Sequence, residues 1–112
     1  EYRSPDPACN PYLAFSVILA AGLKGIAERY ELPVEADANL FELDDAALAA
    51  LSIDTLPQSL SDSLKVMEKS TLVREALGEH IFEWFLRNKR SEWRAYKTHV
   101  SQFELNRYLK AL

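Results

Sequence analysis

Glu1 and Arg3 lie two positions apart at the head of a 112-residue chain. Pro5 and Pro7 follow closely and bias the residues before them toward extended backbone. In an extended segment, side chains two apart leave the same face. A carboxylate beside a guanidinium suits a place where a divalent cation meets an anion. The carboxylate takes the metal, and the arginine forks onto a phosphate or carboxylate. The same spacing also describes a surface ion pair, and spacing alone favours that plainer reading.

The other chemically able residues form no recognisable constellation. His80 and His99 stand 19 positions apart, with no metal-ligand spacing, so surface or packed roles fit them better. Cys9 has no His or basic neighbour in sequence to lower its pKa, which argues against a nucleophile. A single cysteine makes no intrachain disulfide and no Cys-rich zinc site. Three glycines form neither a GxGxxG nor a P-loop pattern.

The elements that must position these residues read as helices. Leu and Ala outnumber Val, Ile and Thr by 31 to 12, and straight-chain residues and alanine lose little freedom in a helix. Residues 1–9 read as a strand end and then an irregular turn. A lone strand cannot satisfy its own backbone, and the chain starts with Glu1 rather than Met, so it reads as a piece of something larger. Asn10-Pro11 is a helix start, with Asn as N-cap and Pro at the first helical position. That helix is predicted to run to about Arg29. It carries no charge from Pro11 to Leu23, and a helix without a polar face is buried on all sides. Other protein is therefore expected to cover part of it.

No element is read over residues 30–43. Asp44 is predicted to cap a helix over about 45–51, and residues 52–58 form a loop. Ser59 to Asp62 offers a cap for a helix to about Glu68. A helix over about 71–77 stops at Gly78, as a glycine just past the last turn allows. A long helix from Glu79 to about Val100 follows. Its apolar stripe is Ile81, Phe82, Phe85, Leu86, Trp93, Tyr96 and Val100. Glu83, Arg87, Arg90, Arg94 and Lys97 are assigned to the opposite, solvated face, with Glu83 and Arg87 as an i,i+4 pair. Ser101 to Glu104 is a capping box for a last helix to about Leu109. Residues 101–112 carry more apolar surface than a free tail and are expected to dock, on another molecule or back on the long helix.

Composition limits the classes of function. The chain has 48% hydrophobic and 27% charged residues, which excludes disorder by composition. A net charge of −4 lacks the basic footprint of a nucleic-acid module. The least polar stretch, 11–23, is short of the ~20 residues of a membrane span, and no secretory leader is visible. Neither nucleic acid nor membrane is expected as a partner, and a reduced, cytoplasmic setting is the expectation.

Two segments carry a resemblance. Glu1-Tyr2-Arg3-Ser4-Pro5-Asp6-Pro7-Ala8-Cys9-Asn10-Pro11-Tyr12-Leu13, followed by Leu19 to Ile26, resembles the C-terminal part of bacterial type I glutamine synthetase. So does Ala76-Leu77-Gly78-Glu79-His80, with Lys89-Arg90 and Glu92-Trp93 behind it. The wording from Phe85 to Arg90 is nearer the actinobacterial paralogues than the enteric enzyme. The resemblance covers the chain end to end. It implies a mainly α fold: a short N-terminal strand remnant and the helical C-terminal part of the catalytic domain. Residues 1–10 would be an active-site strand and turn, 11–100 a helical scaffold and 101–112 a docking tail.

The family joins ammonia to glutamate with ATP through a γ-glutamyl phosphate, using Mg²⁺ or Mn²⁺ between neighbouring subunits of two stacked hexameric rings. By that resemblance, Glu1 matches a metal-ligand glutamate. Arg3 matches the catalytic arginine that binds the transferring phosphoryl group and the substrate γ-carboxyl. The stretch from Pro5 to Pro11 would fix this strand end against the helix behind it. The family's other metal ligands, its ammonia-site Asp and its nucleotide contacts match no residue here, so the chain alone is expected to be inactive. Its partners would be the rest of the synthetase chain and neighbouring subunits. In the enteric branch a tyrosine in an Asn-Leu-Tyr motif is adenylylated. The motif here is Asn39-Leu40-Phe41, without that hydroxyl. Two alternatives remain open: a γ-glutamylpolyamine or other amine ligase, and a stand-alone helical module that binds another protein.

Overall fold

The computed structural model describes residues 2–33, 35–37 and 39–109. The chain divides into two compact units, Glu1–Gln58 and Ser59–Leu112. The described residues form six α-helices and one 3₁₀ turn, and no strand. Tyr2 to Ser4, read from sequence as a strand end, has no regular structure. Without a partner strand its N–H and C=O groups have no ladder to join.

In the first unit, α1 spans Pro11–Ala27. Asn10 caps it, its side-chain oxygen accepting from the N–H groups of Tyr12 at 3.0 Å and Leu13 at 3.4 Å. The helix ends where Arg29 takes a positive φ of 53° and Tyr30 N–H donates to Gly25 O at 3.0 Å. A second helix, α2 (Asp45–Ala50), is capped by Asp44. It ends the same way, with Ser52 at φ 54° and Ile53 N–H donating to Leu48 O at 2.9 Å. These 6→1 bonds are Schellman closures. Between the two helices lies the 3₁₀ turn Leu40–Glu42, in a stretch where the sequence predicts no element. Asn39 holds it at both ends, accepting from Phe41 N–H and donating to Glu42 Oε1 at 2.8 Å.

Within this chain α1 is not buried on any side. Tyr12, Phe15, Leu19 and Ile26 are all more than 60% exposed. The stretch from Pro11 to Leu23 carries no charge, as expected of a helix built for burial, yet no residue of α1 is buried.

The second unit is a three-helix cluster followed by a short fourth helix. Here α3 (Leu60–Lys69), α4 (Thr71–Leu77) and α5 (Glu79–Lys97) surround a small core of Leu64, Phe82 and Leu86. Leu60, Met67, Val73 and Leu77 pack against it. The spacings explain the meeting. Residues 60, 64 and 67 share one face of α3, 73 and 77 one face of α4, and 82 and 86 one face of α5. Ser59 caps α3 by accepting from Asp62 N–H at 3.1 Å. Ser70 ends α3 and caps α4, accepting from Val73 N–H. Gly78 ends α4 and starts α5. Its φ of 73° with ψ of 154° is a backbone state that side chains disfavour. Last, α6 (Gln102–Tyr108) carries the capping box read from sequence. Ser101 N–H donates to Glu104 Oε2 at 2.7 Å, and Glu104 N–H donates to Ser101 Oγ at 3.3 Å.

One assignment on α5 gains a contact and another changes. Arg90 is exposed, as read from sequence, but it is also an inter-helix contact. It continues the row of Phe82 and Leu86 at four-residue steps and donates to Glu68 Oε2 of α3 at 2.7 Å. Glu83 does not pair with Arg87 but with Arg74 of α4 at 3.0 Å. Arg74 also bonds Glu79, and its guanidinium carbon lies 4.1 Å from the centre of the Phe82 ring.

The bond from Arg90 holds the Glu68 carboxyl below the usual carboxylate range, and the charge of Arg90 adds to that. A depressed folded-state pKa stabilises the fold above the unfolded pKa, and the contribution disappears as pH falls through the folded value. The helical signal of the unit is therefore expected to melt at progressively lower temperature below about pH 4.5. Glu68→Gln should be less stable at pH 7 and show a shallower acid loss. Equal pH slopes for the two proteins would contradict the pairing.

Candidate functional site

Glu1, the sequence-derived metal ligand, lies outside the described residues. Arg3, the sequence-derived clamp, is exposed in an irregular segment two residues before Pro5. The stretch from Asp6 to Asn10 is locally well held. Asp6 Oδ1 accepts from Ala8 N–H at 2.7 Å, and Asp6 O accepts from Cys9 N–H at 3.0 Å. Asp at the first position of a turn and Pro at the second are both favoured, and Asp6-Pro7 supplies them. The turn delivers the chain directly into Asn10, the cap of α1. Local bonds thus hold the chain from Asp6, three residues after Arg3, into a seventeen-residue helix. The stretch was partly legible, through Pro5, Pro7 and Asn10-Pro11. The carboxylate bond of Asp6 was not anticipated, although Asp-Pro is a turn signal.

The remaining candidates resolve more simply. Among the described residues, no three His, Cys, Asp or Glu side chains come together to hold a metal ion. The described residues therefore do not by themselves fit a divalent cation. Cys9 is exposed. His80 lines an open depression of about 360 Å³ with Glu79, Glu83, Trp84 and Arg87, all from α5. Arg74 neutralises both of its acids. His99 lies in the turn after α5 and donates its backbone N–H to Tyr96 O. Lys89 pairs with Glu92 along the helix at 2.6 Å. With Arg90 paired to Glu68, the basic run of α5 is in part a set of helix contacts. Phe41 is fully exposed at the tip of its 3₁₀ turn. No helix of the described residues is long and apolar enough to cross a membrane.

Comparison with known proteins places this geometry. The family described as glutamine synthetase, catalytic domain, matches residues 1–108. A glutamine synthetase of Mycolicibacterium smegmatis is 53% identical over 97% of this chain, and one of Mycobacterium tuberculosis is 52% identical over the same share. One of Thermotoga maritima is 44% identical over 97%. The chain spans about a quarter of the length of these relatives, 24% for the mycobacterial pair and 25% for the third. The match takes in the Arg3 segment, the locked turn, α1 and the three-helix cluster alike. The chain therefore belongs to the glutamine synthetase family, as a part of its catalytic domain.

Proposed function

We propose that this chain is the C-terminal part of a ligase that forms glutamine from glutamate and ammonia at the expense of ATP. A γ-glutamate carboxylate oxygen attacks the terminal phosphorus of ATP, and ADP leaves. The amine nitrogen then attacks the γ-carbon, phosphate leaves, and the nitrogen gives up a proton. Arg3 serves as the clamp. Its planar fork matches the oxygens of a carboxylate and of a transferring phosphoryl group, where negative charge accumulates. Glu1 contributes one ligand to a Mg²⁺ or Mn²⁺ site that residues beyond those described must complete. The helices behind them act as scaffold. Assembly into two stacked hexameric rings and a cytoplasmic location belong to the same reading. The bare apolar face of α1 supports it, and so do the exposed Phe103, Tyr108 and Leu109 of the docking tail. Phe41 offers no hydroxyl to an AMP donor, so the turn at 40–42 is not an adenylylation acceptor.

The observation that carries this reading is the family match over 1–108 with Arg3 inside it. Its test is the full-length protein with glutamate, ATP and Mg²⁺. Ammonia should drive phosphate release and yield glutamine. Putrescine or spermidine driving release where ammonia does not would replace it with the amine-ligase reading. No release with any amine would reject both and leave a helical interaction module, with α1 as its docking face.

A further inference from the structure

We infer that Asp6 is a positioning residue for Arg3, acting through the turn it closes. The inference rests on the proposed role of Arg3 and adds the device that holds it.

Few free torsions separate Arg3 from the helix behind it. Ser4 precedes a proline and is driven to extended backbone, and so is Asp6. Pro5 and Pro7 have fixed φ. The main freedom left lies inside the turn, at the ψ of Pro7 and at Ala8. There the Asp6 carboxylate accepts from Ala8 N–H at 2.7 Å while its carbonyl accepts from Cys9 N–H at 3.0 Å. Asn10 then accepts from the N–H groups of Tyr12 and Leu13 at the start of α1. Each of these links is local, so the turn between Asp6 and α1 is set by its own residues. A clamp on a transferring group must already be in place when charge develops, because reorganising it then would raise the barrier. A short acceptor at position 6 is the one side chain in this segment that closes the turn.

The chemistry makes a sharp distinction. Asn also closes such a turn, since its amide oxygen accepts the same N–H. Ala cannot. In the full-length ligase, Asp6→Ala should lower kcat about tenfold, short of the 10²-fold that a 1 Å misplacement can cost. The KM for ATP should move less than about twofold, because the defect is in placement at the reacting centre. Asp6→Asn should restore turnover. In an Arg3→Ala background, Asp6→Ala should cost nothing further, as expected of two residues acting as one unit.

The outcomes separate the two ideas. If Arg3→Ala retains full turnover, the role of Arg3 falls and the inference falls with it. If Arg3→Ala is crippled but Asp6→Ala is not, the clamp stands and the positioning inference is overturned. It is also overturned if Asp6→Asn is as damaging as Asp6→Ala, which would make the charge the active feature, or if the two losses multiply in the double variant. Should Asp6→Ala fail to assemble, Asp6→Ser replaces it in every comparison. The serine hydroxyl closes this turn more weakly, and its turnover should fall between those of the Asn variant and the wild type on one side and Arg3→Ala on the other.

Discussion

Arg3→Ala in the full-length ligase is expected to lower turnover by about 10²-fold or more, the order seen when one preorganised donor to developing charge is removed. Arg3→Lys should recover little of it. A lysine ammonium is a point charge and cannot make the two parallel bonds of a guanidinium to a carboxylate or phosphoryl edge. Glu1→Ala should act differently, weakening metal-dependent nucleotide binding. Steady-state phosphate release at saturating ATP and Mg²⁺ separates the two. The arginine defect should persist at saturation, whereas raising Mg²⁺ should partly offset the glutamate defect. Wild-type turnover in both variants would show that neither residue has the proposed role.

The second large effect is on the fold. Phe82 is fully buried, with Leu86 and Leu64 against it and the Arg74 guanidinium over its ring. Phe82→Ala removes that ring and leaves a cavity, a change worth about 3–5 kcal/mol in other cores. At ~0.05–0.15 kcal/mol per residue, a unit of this size holds only about 3–8 kcal/mol of stability. The variant should therefore lose most of the cooperative unfolding of α3, α4 and α5. Urea unfolding of the chain followed by far-ultraviolet circular dichroism checks this. Phe82→Leu should fall between the two. A midpoint for Phe82→Ala within the error of the wild type would mean that the core lies elsewhere.

Much of the helical pattern was legible because helix starts are local events. Asn10, Asp44, Ser59 and Ser101 each cap within three residues, so sequence neighbours alone reveal them. The 3₁₀ turn at Leu40–Glu42 escaped because three residues carry no period. The pairing of Arg90 with Glu68 is hidden from sequence for a different reason. The charge of Arg90 fits solvent, and the residue is exposed, but its angle on the helix, eight residues from Phe82, also brings it to Glu68 of α3. Arg74 was overlooked because its partners lie five and nine residues away across a helix break, where no helical spacing rule applies. Apolar content marks α1 for burial, yet no residue of α1 is buried in the structure. At the site, the spacing of Glu1 and Arg3 alone was ambiguous. The longer motif around them carried the assignment, and the Asp6 bond shows how the motif's polar residues hold its shape.

Gly78 is the whole of the connection between α4 and α5. Its N–H donates to Arg74 O at 2.9 Å and closes one helix, while its carbonyl accepts from Phe82 N–H at 3.0 Å and opens the next. The single residue and its two bonds therefore fix how α4 meets α5. One inserted residue would break this junction and is expected to separate Arg74 from Glu79, Glu83 and Phe82 together. Length variation is thus barred at this junction. The loop at 54–58, past the Ile53 closure of α2, is where a descendant lineage is expected to gain or lose residues most readily.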